Sequence, residues 1–77
     1  MEAAEAGLLR RGLRMTHLRL IAALSETGQI SAAAAALAIS QPAASRLAAE
    51  LEGVIGAKLY LRHARGVALT EAGALFA

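Results

Sequence analysis

Ser31-Ala-Ala-Ala-Ala-Ala-Leu37-Ala-Ile-Ser40-Gln-Pro42-Ala-Ala-Ser45-Arg46-Leu-Ala-Ala-Glu50 reads as two helices around a tight turn. Ser31 precedes five alanines, the best helix formers, and its hydroxyl can accept from the free N–H groups of a first turn. A short helix over 32–37 is therefore predicted. Ser40 can cap a second helix in the same way, and Pro42 falls in its first turn, where a missing N–H costs no intrahelical bond. Ala38 and Ile39 are left as the link. So short a link makes the helices cross steeply and leaves the N-terminal turn of the second free to enter a groove, the layout of a DNA-reading helix-turn-helix.

Leu47, Leu51, Val54 and Ile55 recur at helical spacing along the second helix, which turns Ala44, Leu47 and Leu51 inward and Gln41, Ser45 and Arg46 outward. Gln can pair bidentately with adenine, Arg with guanine or a phosphate, and Ser with a base edge or the backbone. Pro42 and Ala43 allow close approach to thymine methyls. Ser40, Pro42 and Ala43 also have plain structural roles as cap, helix starter and helix former. No structural reason makes Gln41, Ser45 and Arg46 share a turn free of acids.

The formal net charge is only +2, yet no Asp or Glu occurs between Thr27 and Ala49 or between Gly53 and Thr70. Carboxylates on those surfaces would repel phosphate, so their absence suits a DNA face. Chance clustering of six acids gives the same pattern.

Upstream, Met1 to Arg14 carries two glutamates and then Arg10, Arg11 and Arg14, read as a frayed or helical extension; a solvated tail is its plainer reading and a phosphate-touching basic arm the sharper one. A scaffold helix is predicted from Thr16, as N-cap, to about Glu26, with Leu18, Ile21, Ala22 and Ser25 inward and Thr27-Gly28 closing it. Downstream, alternation in Lys58–Arg62 and Val67–Leu69 predicts two strands joined by His63-Ala64-Arg65-Gly66. Arg62 and Arg65 then lie at the tip of a wing, where arginine can enter a narrow minor groove or clamp phosphates. Thr70 caps a last helix, with Glu71 at its positive end.

At this point the sequence resembles a known family. Ser40-Gln-Pro-Ala-Ala-Ser-Arg46, Leu51-Glu52, Gly56, Leu59-Tyr60, Arg62 and Leu69-Thr-Glu-Ala-Gly73 look like the LysR-type transcriptional regulators, in an ungapped register from Ala43 to Gly73. The resemblance covers roughly Thr16 to Ala77. It implies a mainly α, winged helix-turn-helix domain over 16–69 after an extension over 1–15, with 70–77 starting a linker helix that dimerises in the family. It also implies a larger C-terminal domain, outside this chain, that takes a small-molecule inducer. By resemblance the site residues are Ser31, Ser40, Gln41, Pro42, Ala43, Ser45, Arg46, Arg62 and Arg65, the partner a two-fold operator in double-stranded DNA, and the setting the bacterial cytoplasm. Leu75 and Phe76 belong either to the dimer interface or folded back on the core. Ala32, Ala38 and Leu61 depart from the family pattern. Ala38 sits where a left-handed residue is needed, which a β-carbon disfavours.

Composition narrows the remaining classes. At 77 residues the chain holds one small domain. Without cysteine there is no disulfide, thiol nucleophile or cysteine-ligated zinc, and His17 and His63 have no ligand partners near in sequence. Neither a metal nor a cofactor is expected. Although 57% of residues are hydrophobic, 21 of the 77 are alanine, and polar residues break every stretch approaching the ~20 apolar residues of a span. No membrane partner or leader segment is expected. With no Asp, no glycine-rich phosphate loop and no nucleophile–base–acid spacing, an enzyme is a poor reading. The alternatives are another winged-helix regulator and a small helical protein-interaction module.

Overall fold

In the computed structural model, which describes residues 2–77, the chain forms α1 (Glu2–Arg10), α2 (Met15–Thr27), α3 (Ile30–Ala36), α4 (Gln41–Ile55), β1 (Tyr60–His63), β2 (Gly66–Leu69) and α5 (Glu71–Phe76). The strands pair antiparallel from Tyr60 opposite Leu69 to His63 opposite Gly66, so Ala64 and Arg65 alone turn the hairpin. This is the expected winged helix-turn-helix. Its core lies where α2, α3 and α4 meet, around Leu20, Ile21, Leu24, Leu47 and Leu51, with Leu59 and Val67 closing it from the wing side. Ala33, Ala34, Ala44 and Ala48 are also buried there, and their small side chains let α3 and α4 approach closely.

The longest helix follows local chemistry. The Ser40 hydroxyl accepts the Ala43 N–H at 3.2 Å, Pro42 lies in the first turn, and Gly56 ends the helix at a φ of 82°. Its buried face is Ala44, Leu47, Ala48 and Leu51, as the periodicity required.

Three expectations need correction. Ser31 does not cap α3. That helix begins at Ile30, with Gln29 as N-cap and no side-chain cap bond, which leaves Ser31 exposed inside the first turn. Burying Ile30 in the core sets the start, because alanine's helix preference cannot distinguish one residue from its neighbour. Nor does Thr16 cap α2. The N-cap is Arg14, whose backbone N–H is taken by His17 Nδ1 at 3.0 Å. The inward face is His17, Leu20, Ile21, Ala23 and Leu24, while Ala22 and Ser25 are exposed and Leu18 is half-buried. Finally, β1 starts at Tyr60 rather than Lys58, and β2 takes in Gly66.

Thr70 does cap α5, accepting the Gly73 N–H at 3.1 Å, and its hydroxyl donates to the Lys58 carbonyl at 2.6 Å. Phe76 is folded back on the core, while Leu75 is 83% exposed and does not pack there.

The turn between α3 and α4 carries strain. Ala38 has a φ of 57°, the left-handed region that a β-carbon disfavours. Ala38→Gly is expected to stabilise the domain by ~0.5–1 kcal/mol, since relief of the left-handed cost exceeds the added freedom of the unfolded chain. Urea melts of the two proteins measure the difference.

Candidate nucleic-acid interface

Helix α4 is anchored through its second half. Towards its C-terminal end, Glu50 Oε1 receives His17 Nε2 at 3.1 Å and Arg14 Nη2 at 2.8 Å. A backbone N–H can only donate, so His17 Nδ1, facing that of Arg14, is the acceptor, and the ring proton sits on Nε2 and is given to Glu50. His17 is the one buried polar side chain among the described residues, and both its nitrogens are satisfied. Two residues on, Glu52 Oε2 accepts the Leu59 N–H at 2.9 Å and ties the helix to the approach to β1.

The His17 hydrogen bond and then the Arg14 guanidinium hold the Glu50 carboxyl below its ordinary pKa of 4.5. A depressed folded-state pKa means the stabilisation is complete above the unfolded value and is lost as pH falls through the folded one. Stability should therefore drop below about pH 4.5, and Glu50→Gln should flatten that part of the profile. Chemical denaturation at pH 6 and at successively lower pH tests it.

With its rear anchored, α4 presents its first turns. Ser40, Gln41, Pro42 and Arg46 are exposed, and Ala43 and Ser45 are half-buried. Gln41 and Ser45 are one turn apart on one face, with Arg46 beside them. Among the described residues no carboxylate pairs with Arg46, Arg62 or Arg65, and the ion pairs use Arg14 and Lys58 instead. The cations of α4 and the wing are thus uncommitted.

The wing lies against the turn between α2 and α3. Val67 N–H donates to the Gly28 carbonyl at 2.8 Å, and the Gln29 side-chain amide donates to the Arg65 carbonyl. An open groove of about 570 Å³ runs between turn and wing, lined by Gln29, Ile30, Arg62 and Arg65 among others. Ser31 lies in the first turn of α3 and does not line this groove. The structure therefore gathers Ser40 to Arg46 on α4 and Arg62 and Arg65 on the wing, and leaves Ser31 on α3.

The arginines of the N-terminal segment sit elsewhere. Arg11 donates to the Val54 carbonyl at 3.4 Å, and Arg14 is engaged with Glu50. Val54 is thirteen residues beyond Gln41, ~20 Å along the helix axis. This segment braces the far end of α4.

Sequence reading missed the roles of Gln29 and Glu50 and the burial of His17, whose partners lie 33 and 36 residues away and leave no local signal. Glu52 stood in the family motif, but its bond to the Leu59 N–H was not anticipated. No helix among the described residues is long and apolar enough to cross a membrane.

Known proteins place this architecture. The regulator GbpR of Rhizobium radiobacter is 49% identical over 59 residues, covering 77% of this chain and 20% of that protein. The DNA-binding domain of CbnR, solved in complex with DNA, superposes with a TM-score of 0.78 at 38% identity, covering 83% of this chain and 74% of that one. The BenM DNA-binding domain, solved on catB site 1 DNA, gives 0.76 at 36% identity, covering 83% and 72%. The chain spans about a fifth of the length of the curated relatives it matches. Residues 15–74, most of the sequence, match the bacterial regulatory helix-turn-helix proteins of the lysR family, and the chain belongs to that family.

Proposed function

We propose that this domain binds double-stranded DNA sequence-specifically as the reading module of a bacterial LysR-type transcriptional regulator. The observation that carries the proposal is the first part of α4, capped by Ser40, free of carboxylates, and offering Gln41 and an unpaired Arg46 to solvent. A capped helix start with uncommitted donors is what major-groove readout needs. The likeness to two domains solved on DNA supports the same reading.

Gln41 and Arg46 read base edges, and Ser45 adds a short donor. Pro42 and Ala43 permit close approach, and Ser40 completes the surface while capping the helix. Arg62 and Arg65 engage the adjacent minor groove or its phosphates, and Ser31 meets the backbone from the first turn of α3. The domain acts in the cytoplasm as one half of a two-fold dimer formed through a helix continuing α5, whose Leu75 is exposed. Half-sites then lie ~34–36 Å apart or at a multiple of that. An inducer acts through a further domain of the regulator. No catalytic role is proposed.

The test is selection of duplexes from a random pool, followed by fluorescence anisotropy across a salt series. Enriched two-fold sites bound in a saturable, salt-sensitive way are expected. Absence of any enrichment, also when the domain is fused to a dimeriser, or binding only to a protein partner at high salt, would refute the proposal.

A further inference from the structure

We infer that Gln29 is a positioning residue for DNA binding, holding the wing arginines in register through the Arg65 carbonyl. The inference rests on the DNA-binding reading above.

A two-stranded hairpin alone is marginally stable in water, so Arg62 and Arg65 can be presented in fixed places only if the hairpin is tied to something rigid. The structure ties it to the turn between α2 and α3. Thr27 Oγ1 gives its one proton to the Ala23 carbonyl at 2.8 Å and accepts the Gln29 N–H at 3.3 Å, which fixes the Gln29 backbone on the end of α2. From that base the Gln29 amide reaches across and donates to the Arg65 carbonyl at the hairpin tip. Gly66 lets the two chains meet. It has a φ of 143°, and a β-carbon there would run into the Gly28 carbonyl oxygen and the Gln29 side chain. Behind it, Val67 N–H bonds the Gly28 carbonyl.

The side chain of Gln29 therefore spends its donor on the wing. It makes no other hydrogen bond among the described residues, and its place on the groove that holds Arg62 and Arg65 puts it behind the proposed contacts. Losing it frees the tip, so binding must restrict Arg62 and Arg65 anew, at an entropic cost that appears as weaker affinity. Gln29→Glu keeps the length but replaces the donor by an acceptor facing a carbonyl and adds a negative charge beside Arg62 and Arg65, so it should weaken binding more than Gln29→Ala.

The test is a mutant cycle on the selected duplex. Gln29→Ala should weaken binding about 3- to 10-fold, the range of one ordinary hydrogen bond, while the domain stays folded with its melting temperature lowered by no more than ~10 °C. In a background carrying Arg62→Ala and Arg65→Ala, the Arg65 carbonyl remains and the same substitution should cost nothing, since no wing cation is left to position. An equal loss in both backgrounds would show that Gln29 touches DNA itself, and no loss in either would show that the wing needs no tie. Both outcomes overturn the inference. Failure of the unsubstituted domain to bind any duplex would instead refute the DNA-binding reading.

Discussion

Gly73→Ala is expected to destabilise the domain by ~3 kcal/mol or more, the upper end of overpacking costs. Gly73 is buried in α5, and a β-carbon there would drive into the Leu59 carbonyl oxygen, with the Leu59 carbon and Cα close behind. Backbone cannot step aside as the end of a flexible side chain can. The same carbonyl accepts the Thr70 N–H at 3.1 Å, and the Leu59 side chain is 1% exposed, so displacing it disturbs the cap of α5 and the core together. At ~4–8 °C per kcal/mol for a domain of this size, the melting temperature should fall by ~10 °C or more. Gly53→Ala is the control. Gly53 is exposed within α4 with nothing near its missing β-carbon, and the exchange should stabilise by up to ~1 kcal/mol through helix propensity. If Gly73→Ala melts like the parent, α5 is not seated on Leu59.

Arg46→Ala should weaken binding to the selected duplex by ~1–3 kcal/mol, roughly five- to 150-fold, with a smaller loss on scrambled DNA. Arg46 is exposed and unpaired among the described residues, so no internal bond is lost and the folded state should be unaffected. Arg46→Lys separates charge from geometry, because lysine keeps the cation but not the planar fork. If the fork reads a base, lysine rescues binding to scrambled DNA and not selectivity. Gln41→Ala should relax preference at one base pair without changing the salt dependence, as glutamine neutralises no phosphate. Equal weakening on selected and scrambled duplexes would assign Arg46 to the backbone.

The parts of this fold governed by short-range chemistry were legible in the sequence. Ser40 with Pro42 marks the start of α4 and Thr70 the start of α5, because each signal acts within one helical turn. The wing was legible from its alternation, and the strained turn from an alanine where a left-handed residue was needed. What escaped was set by partners far along the chain. The inward face inferred for α2, Leu18, Ile21, Ala22 and Ser25, omits the polar His17 and is rotated by one position from the observed one. His17 is buried because Glu50, 33 residues away, accepts its proton. Gln29 gives no local hint of its bond to the Arg65 carbonyl, 36 residues on. Ser31 is a good cap placed two residues too late, since Ile30 enters the core and draws the helix start back to Gln29. For the candidate interface, the residue types on α4 were readable because their exposure follows from helical phase. The tie that braces the wing needed the tertiary structure.

The most direct test of the reading surface is an NMR titration of the isotope-labelled domain with its selected duplex, following backbone amides and the Gln and Arg side chains. The account predicts that the largest changes fall at Gln41 to Arg46, at Arg62 to Gly66 and at the start of α3, with α1 and the exposed side of α5 little affected. Changes concentrated on α1 or α5, with Gln41 and Arg46 unmoved, would contradict it.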